Sequence, residues 1–203
     1  MRQITILLSA FDPFGGEDTN AVLEISKLLP DEIDGAKIIK LTLPTVFCKA
    51  SEMIINEARA LAPDAIVMLG QAKGRGAITP ERIAINVSDA SIDDNEGNRP
   101  NNVRIIENAP DGYFSTLPIT DMVDAIKSVG VAAAVSNTAG TFVCNQTMFS
   151  VLDFALRELP GRPVGFIHVP CTPAQADEKT PSMEASDASR GIEAAIRSII
   201  KII

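Results

Sequence analysis

The sequence predicts an α/β protein, a three-layer α/β/α sandwich whose mainly parallel, twisted sheet carries helices on both faces. Three observations lead there. Short apolar runs of strand length alternate with segments of helical periodicity along most of the 203 residues. The connections between them are short, as crossover units require. Runs such as Ile4–Ser9 and Ala65–Leu69 are almost continuously apolar, the mark of strands buried on both faces. No repeat or linker interrupts the pattern, so residues 1–203 are read as one domain with one substantial core.

In chain order, Ile4–Ser9 is the first strand. The turn-rich stretch Phe11-Asp12-Pro13-Phe14-Gly15-Gly16 follows, with both phenylalanines expected in an exposed loop. A helix runs over Ala21–Leu29, capped by Thr19 or Asn20 and stopped by Pro30. Ala36–Leu43 is a strand, Pro44-Thr45 a turn, and Val46–Leu61 a helix ended by Pro63. Ala65–Leu69 is a strand that opens into the polar loop Gly70–Gly76, the end of a strand where open sheets place their ligands. Arg82–Val87 alternates, which predicts a strand with Ile83, Ile85 and Val87 on its buried face.

Asp89–Asn102, rich in Asp, Asn, Gly and Pro, reads as a long ordered loop or projecting hairpin. Asp121–Ser128 is a helix closed by Gly130, Val131–Val135 a buried strand, and Gln146–Leu159 a helix ended by Pro160-Gly161. Gly165–Val169 is another strand, carrying His168. The polar stretch Thr172–Ser189 is expected to be mobile, and Gly191–Ile203 forms a last amphipathic helix that packs on the core or on another subunit.

A net charge of -8 without a Lys/Arg cluster argues against nucleic acid or an anionic membrane as partner, since both are bound through phosphate neutralisation. The first apolar run is short and leads into Asp12-Pro13, so it reads as a strand and not as a signal peptide. Cys48, Cys144 and Cys171 are too few and too widely spaced for a disulfide framework or a structural zinc site, which points to the reducing cytoplasm. The sequons at Asn86 and Asn145 are read as chance. A single histidine and the absence of ligand spacing argue against a metal, and Gly70, Gly74 and Gly76 lack the spacing of a dinucleotide or phosphate loop. No cofactor is expected.

The candidate for chemistry is Cys144, placed where the strand at Val131–Val135 turns through Ser136–Asn145 into a helix. Backbone N–H groups and the helix dipole at that end favour a thiolate, although a small buried residue in a capping turn would look the same. His168 is the only available imidazole and follows 24 residues later (168 minus 144), the span of one crossover. A third group orients the ring in such pairs, and by spacing Glu81, Asp89 and Asp93 all qualify.

Several separated segments together resemble the pyroglutamyl peptidase I family, also called pyrrolidone-carboxylate peptidases. They are Phe11–Gly16, Gly70-Gln71-Ala72, Thr79-Pro80-Glu81-Arg82 with Ala84 and Asn86, Asp94–Asn98, Ser136–Asn145 and Gly165–Pro170, in order along nearly the whole chain. The resemblance implies a cytosolic, cofactor-free, often tetrameric enzyme that removes N-terminal pyroglutamate from peptides through a thioester. It makes Cys144 the nucleophile, His168 the general base and then acid, and Glu81 the residue orienting His168. It also places Phe11, Phe14 and Phe142, with Thr45, Ile92 and Val143, around the lactam, and Gln71 near the reacting centre. Such walls suit the substrate, because a pyroglutamyl ring is flat and uncharged and is best held by apolar surface with a few hydrogen bonds.

The chain departs from the family pattern at two positions. Ser91 stands where many members carry an arginine thought to polarise the scissile carbonyl, so either Arg75 or Arg82 supplies the charge or turnover is lower. Gln146 stands where a histidine outside the triad often follows the Cys-Asn pair. Ser91 motivates one rival reading, a non-catalytic lactam-binding relative. Another rival, a nucleoside-processing enzyme, needs a phosphate site that the glycine loops do not supply.

Overall fold

The computed structural model describes residues 2–203. In chain order the elements are β1 (Thr5–Phe11), α1 (Ala21–Leu28), β2 (Glu32–Ile33), β3 (Ala36–Leu43), α2 (Lys49–Leu61), β4 (Ala65–Gln71), β5 (Thr79–Pro80), β6 (Ile83–Ile85), β7 (Gly112–Phe114), α3 (Ile119–Ser128), α4 (Val143–Glu158), β8 (Val164–Val169) and α5 (Ala185–Ile200). Among the described residues, one sheet has the order β2-β3-β1-β4-β8-β5. Its inner strands β3, β1, β4 and β8 are parallel, and only the short edge strands β2 and β5 run the other way. The inner strands β1, β4 and β8 are buried almost end to end, as their apolar runs require. Helices α1, α3 and α5 pack together on one face and α2 and α4 on the other, which gives the three layers. Among the described residues, no helix is long and apolar enough to cross a membrane.

The chain passes from β1 to β3 on one side and then crosses to β4 on the other, so the connections diverge between β1 and β4. Above their C-terminal ends lie Phe11, Gly70, Gln71 and, on the next strand, His168. This is the crevice where open parallel sheets bind ligands.

Five expectations need correction. The run Val131–Val135 is no strand of the sheet: it lies beside residues 78–82 through isolated parallel bridges, Ile78 to Ala133 and Glu81 to Ser136. Ile78 N–H donates to Ala132 O, Ala134 N–H to Ile78 O and Ser136 N–H to Pro80 O; the bond missing from that alternation belongs to Pro80, which has no N–H. The strand within Arg82–Val87 is real but pairs with β7 in a separate ribbon, with the opposite face inward. Ala84 is fully buried while Ile85 is 37% exposed. The helix covering that face explains it, because Asn145 of α4 accepts from Ile85 N–H and donates to the carbonyls of Ile85 and Val87.

The last helix begins at Ala185, ahead of Gly191. That glycine is a packing residue and not a start signal: a Cβ there would stand 2.6 Å from Ile78 Cδ1. Ile192, Ile196 and Ile199 of α5 face the core. The stretch before it, expected to be mobile, is held by a 3-10 turn at Pro173–Gln175 and by a bridge from Cys171 to Ser182. Finally, Phe11 is not a loop residue but the last of β1, and only 2% exposed.

Candidate active site

The site is built around a missing side chain. Gly70 of β4 lies opposite His168 of β8 in the parallel register, so both present the same face of the sheet. A Cβ on Gly70 would stand 3.1 Å from Cys144 Sγ and 2.6 Å from Phe166 Cε1. The sulfur therefore occupies a niche that only glycine leaves open, on the face where the adjoining strand carries the imidazole. Cys144 comes from the first turn of α4, where Phe142 is the N-cap and no side chain caps the helix.

Glu81 follows β5, and its backbone N–H donates to Phe166 O at 2.9 Å. Its carboxylate is wholly buried, and Oε1 lies 2.7 Å from His168 Nδ1. The same oxygen accepts from Arg75 Nη1 at 2.6 Å. Of the three carboxylates allowed by spacing, Glu81 alone meets the histidine: Asp89 accepts from Asn102 N–H, and Asp93 faces Arg99 at 3.9 Å. Glu81 Oε2 is buried without a partner. The Ser136 hydroxyl lies beside the carboxylate but is donated to Thr138 O at 3.1 Å.

The electrostatics follow from this arrangement. Burial pushes Glu81 up, but hydrogen bonding to His168, the imidazolium charge, Ser136 and Arg75 together hold it below its ordinary value. Burial also lowers His168, against the pull of Glu81 and with a further push from Arg75. Burial, reinforced by the Glu81 charge, drives the Cys144 thiol up to about 12, and Arg75 and the Cys144 backbone N–H only moderate that rise. This corrects the expectation of a thiolate favoured by the helix end, since desolvation outweighs the dipole. The resting pair is a thiol beside a neutral imidazole.

Apolar rings stand next to this centre. Phe14 and Phe142 lie 6.0 Å apart between centroids, and Phe47 meets Phe142 edge-on at 5.2 Å. Phe11 lies against Phe166 at 6.2 Å, the ring that also borders the Gly70 niche. Ile92 is 44% exposed and sits over Gly15, close enough to lie 3.9 Å from a Cβ built there. Val143 is fully buried. Gln71 uses Oε1 to accept from Ala21 N–H at the start of α1.

Two carboxylates, half-buried Asp12 and buried Asp94, tie the contributing loops together. Asp12 accepts from Thr45 N–H and from Asn95 Nδ2, and Thr45 Oγ1 donates back to Asp12 O. Asp94 accepts from the backbone of Phe47, Glu96 and Asn98. Sequence reasoning missed Phe47, because Val46–Leu61 reads as helix throughout whereas α2 begins only at Lys49. It also missed Gly70 as a packing residue, and no periodicity carries that signal. Gln146, the departure after Asn145, accepts from Cys48 N–H and donates to the hydroxyls of Ser51 and Ser150, joining α4 to the start of α2. At Ser91, Arg99 donates to the backbone carbonyl. Arg82 is occupied with Asn137 Oδ1, so between Arg75 and Arg82 only Arg75 reaches the triad candidates.

Residues 4–202 match the profile of the family described as pyroglutamyl peptidase. The chain belongs to the pyroglutamyl peptidase family. A pyrrolidone-carboxylate peptidase of Clostridium perfringens strain 13 is 48% identical over 197 residues, covering 96% of this chain and 92% of its own. One from Streptococcus suis is 48% identical over 198 residues, covering 97% and 92%. The crystal structure of pyroglutamyl peptidase I from Bacillus amyloliquefaciens superposes with a TM-score of 0.93 at 38% identity, over 98% of this chain and 95% of that one. A mutant pyrrolidone carboxyl peptidase from Pyrococcus furiosus gives 0.92 at 35% identity, over 98% and 99%. The α/β fold is thus the fold of the family, and membership makes the chain a cysteine-type hydrolase.

Proposed function

We propose that Cys144, His168 and Glu81 are the catalytic triad by which this pyroglutamyl peptidase releases pyroglutamate from peptide N-termini. The observation that carries it is the buried 2.7 Å contact of His168 Nδ1 with Glu81 on the sheet face where Gly70 receives Cys144 Sγ. An ionised Glu81 can only accept, so Nδ1 carries the proton and Nε2 is the base. As Cys144 Sγ attacks the pyroglutamyl carbonyl, its proton passes to Nε2, and the oxyanion takes the Cys144 backbone N–H at the start of α4. Collapse breaks the C–N bond, and the imidazolium returns the proton to the leaving amine. A thioester remains. Water, deprotonated by Nε2, then attacks the thioester, freeing pyroglutamate and regenerating the thiol.

Phe11, Phe14, Thr45, Gln71, Ile92, Phe142 and Val143 form the substrate pocket in this reading, with Phe47 holding Phe142 in place. An unmodified N-terminal glutamate or glutamine brings a charged amine into that apolar slot, and an unpaired buried charge costs several kcal/mol. The reading extends to a cytoplasmic homotetramer. Exposed apolar residues on the β6–β7 ribbon, Phe114 at 66% and Ile85 at 37%, support a surface that other copies cover.

Pyroglutamyl, prolyl and glutamyl reporters assayed side by side test the specificity. Turnover of the pyroglutamyl reporter alone is expected. Comparable turnover of the prolyl or glutamyl reporter would overturn it.

A further inference from the structure

Glu81 is held in an unusual way. One oxygen, Oε1, takes both His168 Nδ1 at 2.7 Å and Arg75 Nη1 at 2.6 Å, while Oε2 is buried and accepts no hydrogen bond among the described residues, the Ser136 hydroxyl beside the carboxylate being donated to Thr138 O. A carboxylate wholly removed from water with half of its acceptor capacity unused is stable as an anion only if a full positive charge adjoins it. Arg75 supplies that charge, and its geometry is fixed: Nη1 also donates to Thr79 Oγ1 at 2.6 Å, and Nη2 donates to Thr138 O at 3.0 Å. Thr79 opens β5 beside Glu81, and Thr138 belongs to the turn that delivers Cys144. One guanidinium therefore ties the carboxylate to the two backbone segments that place Glu81 and Cys144.

We propose that Arg75 is a positioning residue of the reaction: its guanidinium keeps Glu81 ionised and aimed at His168 Nδ1, and so fixes the imidazole tautomer that accepts the thiol proton. The inference rests on the triad reading above. The titratable and charged groups that face Glu81 are Arg75 from the β4–β5 loop, His168 from β8 and Cys144 from α4. Arg75 acts on all three, at Glu81 and Cys144 in the direction the reaction needs, while the imidazolium it disfavours at His168 is supported by Glu81. It holds Glu81 down, disfavours a resting imidazolium at His168 and favours the thiolate at Cys144. Since Ser91 brings no charge to the site, Arg75 is the cation whose field the three residues share.

The sign of the pH effect follows directly. Without Arg75, Glu81 is pushed up by burial and His168 is freed from a repelling cation, so both bind protons at higher pH. The acid limb of the rate profile then moves up by about one pH unit or more, the shift typical of losing one close opposite charge. The turnover number falls on the order of tenfold to a hundredfold, as for the loss of one charge-assisted hydrogen bond. The hydrogen bonds of Arg75 go to Glu81, Thr79 and Thr138, so its loss should act on the triad geometry and leave KM near its wild-type value.

The test measures kcat and KM on a pyroglutamyl reporter from about pH 5 to 9 for the wild type, Arg75→Met, Arg75→Lys and Cys144→Ser. Arg75→Met should show the lowered kcat, the raised acid limb and a near-constant KM. Arg75→Lys keeps the charge but not the fork of hydrogen bonds, so its acid limb should stay near that of the wild type while kcat falls. A wild-type profile in Arg75→Met, or a reduced rate with an unmoved acid limb, would overturn the inference. If Arg75→Met does not fold, Arg75→Lys decides: wild-type kcat or an acid limb moved upward overturns it. Turnover surviving in Cys144→Ser would instead overturn the triad itself, so the two failures are distinguishable.

Discussion

Gly70 and Cys144 are joined by an absence: the Cβ that Gly70 lacks would stand 3.1 Å from the Cys144 sulfur. The same atom would be 2.6 Å and 2.7 Å from two carbons of the Phe166 ring, closer than packed atoms approach. The Gly70→Ala variant should therefore push the ring or the sulfur aside. Overpacking of this kind costs about 1–3 kcal/mol, and a displaced nucleophile costs far more in rate than in stability. Expected are a modestly lowered Tm by calorimetry and a loss of kcat on the order of a hundredfold. Unchanged kcat would show that the niche does not position the sulfur.

The buried His168–Glu81 pair should also make stability fall on the acid side. His168 and Glu81 both have pKa values below their ordinary ones in the folded protein, so the unfolded chain binds more protons as pH drops. The His168 contribution is fully present above the unfolded histidine value of about 6.5 and is lost as pH falls below it. The Glu81 contribution is lost at lower pH, below the ordinary carboxylate range. Urea melts across this range should show stability declining below about pH 6.5 in the wild type, and a flatter curve in His168→Gln. Identical pH dependence in both proteins would contradict the assignment of buried, neutral His168.

Desolvation of the thiol predicts how Cys144 meets an alkylating agent. With the thiol pushed up to about 12, its reaction with iodoacetamide should keep accelerating as pH rises through the alkaline range. A plateau below neutral pH would mean a preformed thiolate–imidazolium pair. Peptide mapping separates the Cys144 adduct from those on exposed Cys48 and buried Cys171.

Phe142 joins the ring cluster to the turn that delivers Cys144, touching both Phe14 and Phe47 two residues from that cysteine. Phe142→Ala removes two aromatic contacts, each worth about 0.5–1.5 kcal/mol, together with a wall of the pocket. KM for a pyroglutamyl reporter should rise on the order of tenfold with a smaller change in kcat, because a wall binds ground and transition states alike. A fall in kcat at constant KM would place Phe142 in the chemistry and not in the pocket.

The parts of the fold visible in the sequence were those with strong local periodicity. β1, β3, β4 and β8 fall within a few residues of the apolar runs that announce them, and α1 takes Asn20 as its cap, with the side chain accepting from Val22 N–H. Alternation found β6 but not which face is inward, since that is decided by Asn145 arriving from α4. The run Val131–Val135 looks like a strand because its composition is that of one; Pro80 in its partner breaks the ladder. Both sequon asparagines proved structural: Asn86 accepts from Ile105 and Ile106 N–H, and Asn145 clamps β6. For the site, Cys144 and His168 could be named from residue type and spacing, whereas Glu81 needed the family resemblance. Burial was what no local pattern could reveal, and burial is what reverses the expected state of the thiol.

The central claim is that Cys144 forms the thioester. Intact-mass analysis after rapid acid quench of the enzyme with a pyroglutamyl reporter, followed by peptide mapping, measures it most directly. A pyroglutamyl adduct is expected on the peptide carrying Cys144, absent from Cys144→Ser and from His168→Ala. An adduct on another residue, or undiminished turnover in Cys144→Ser, would contradict it.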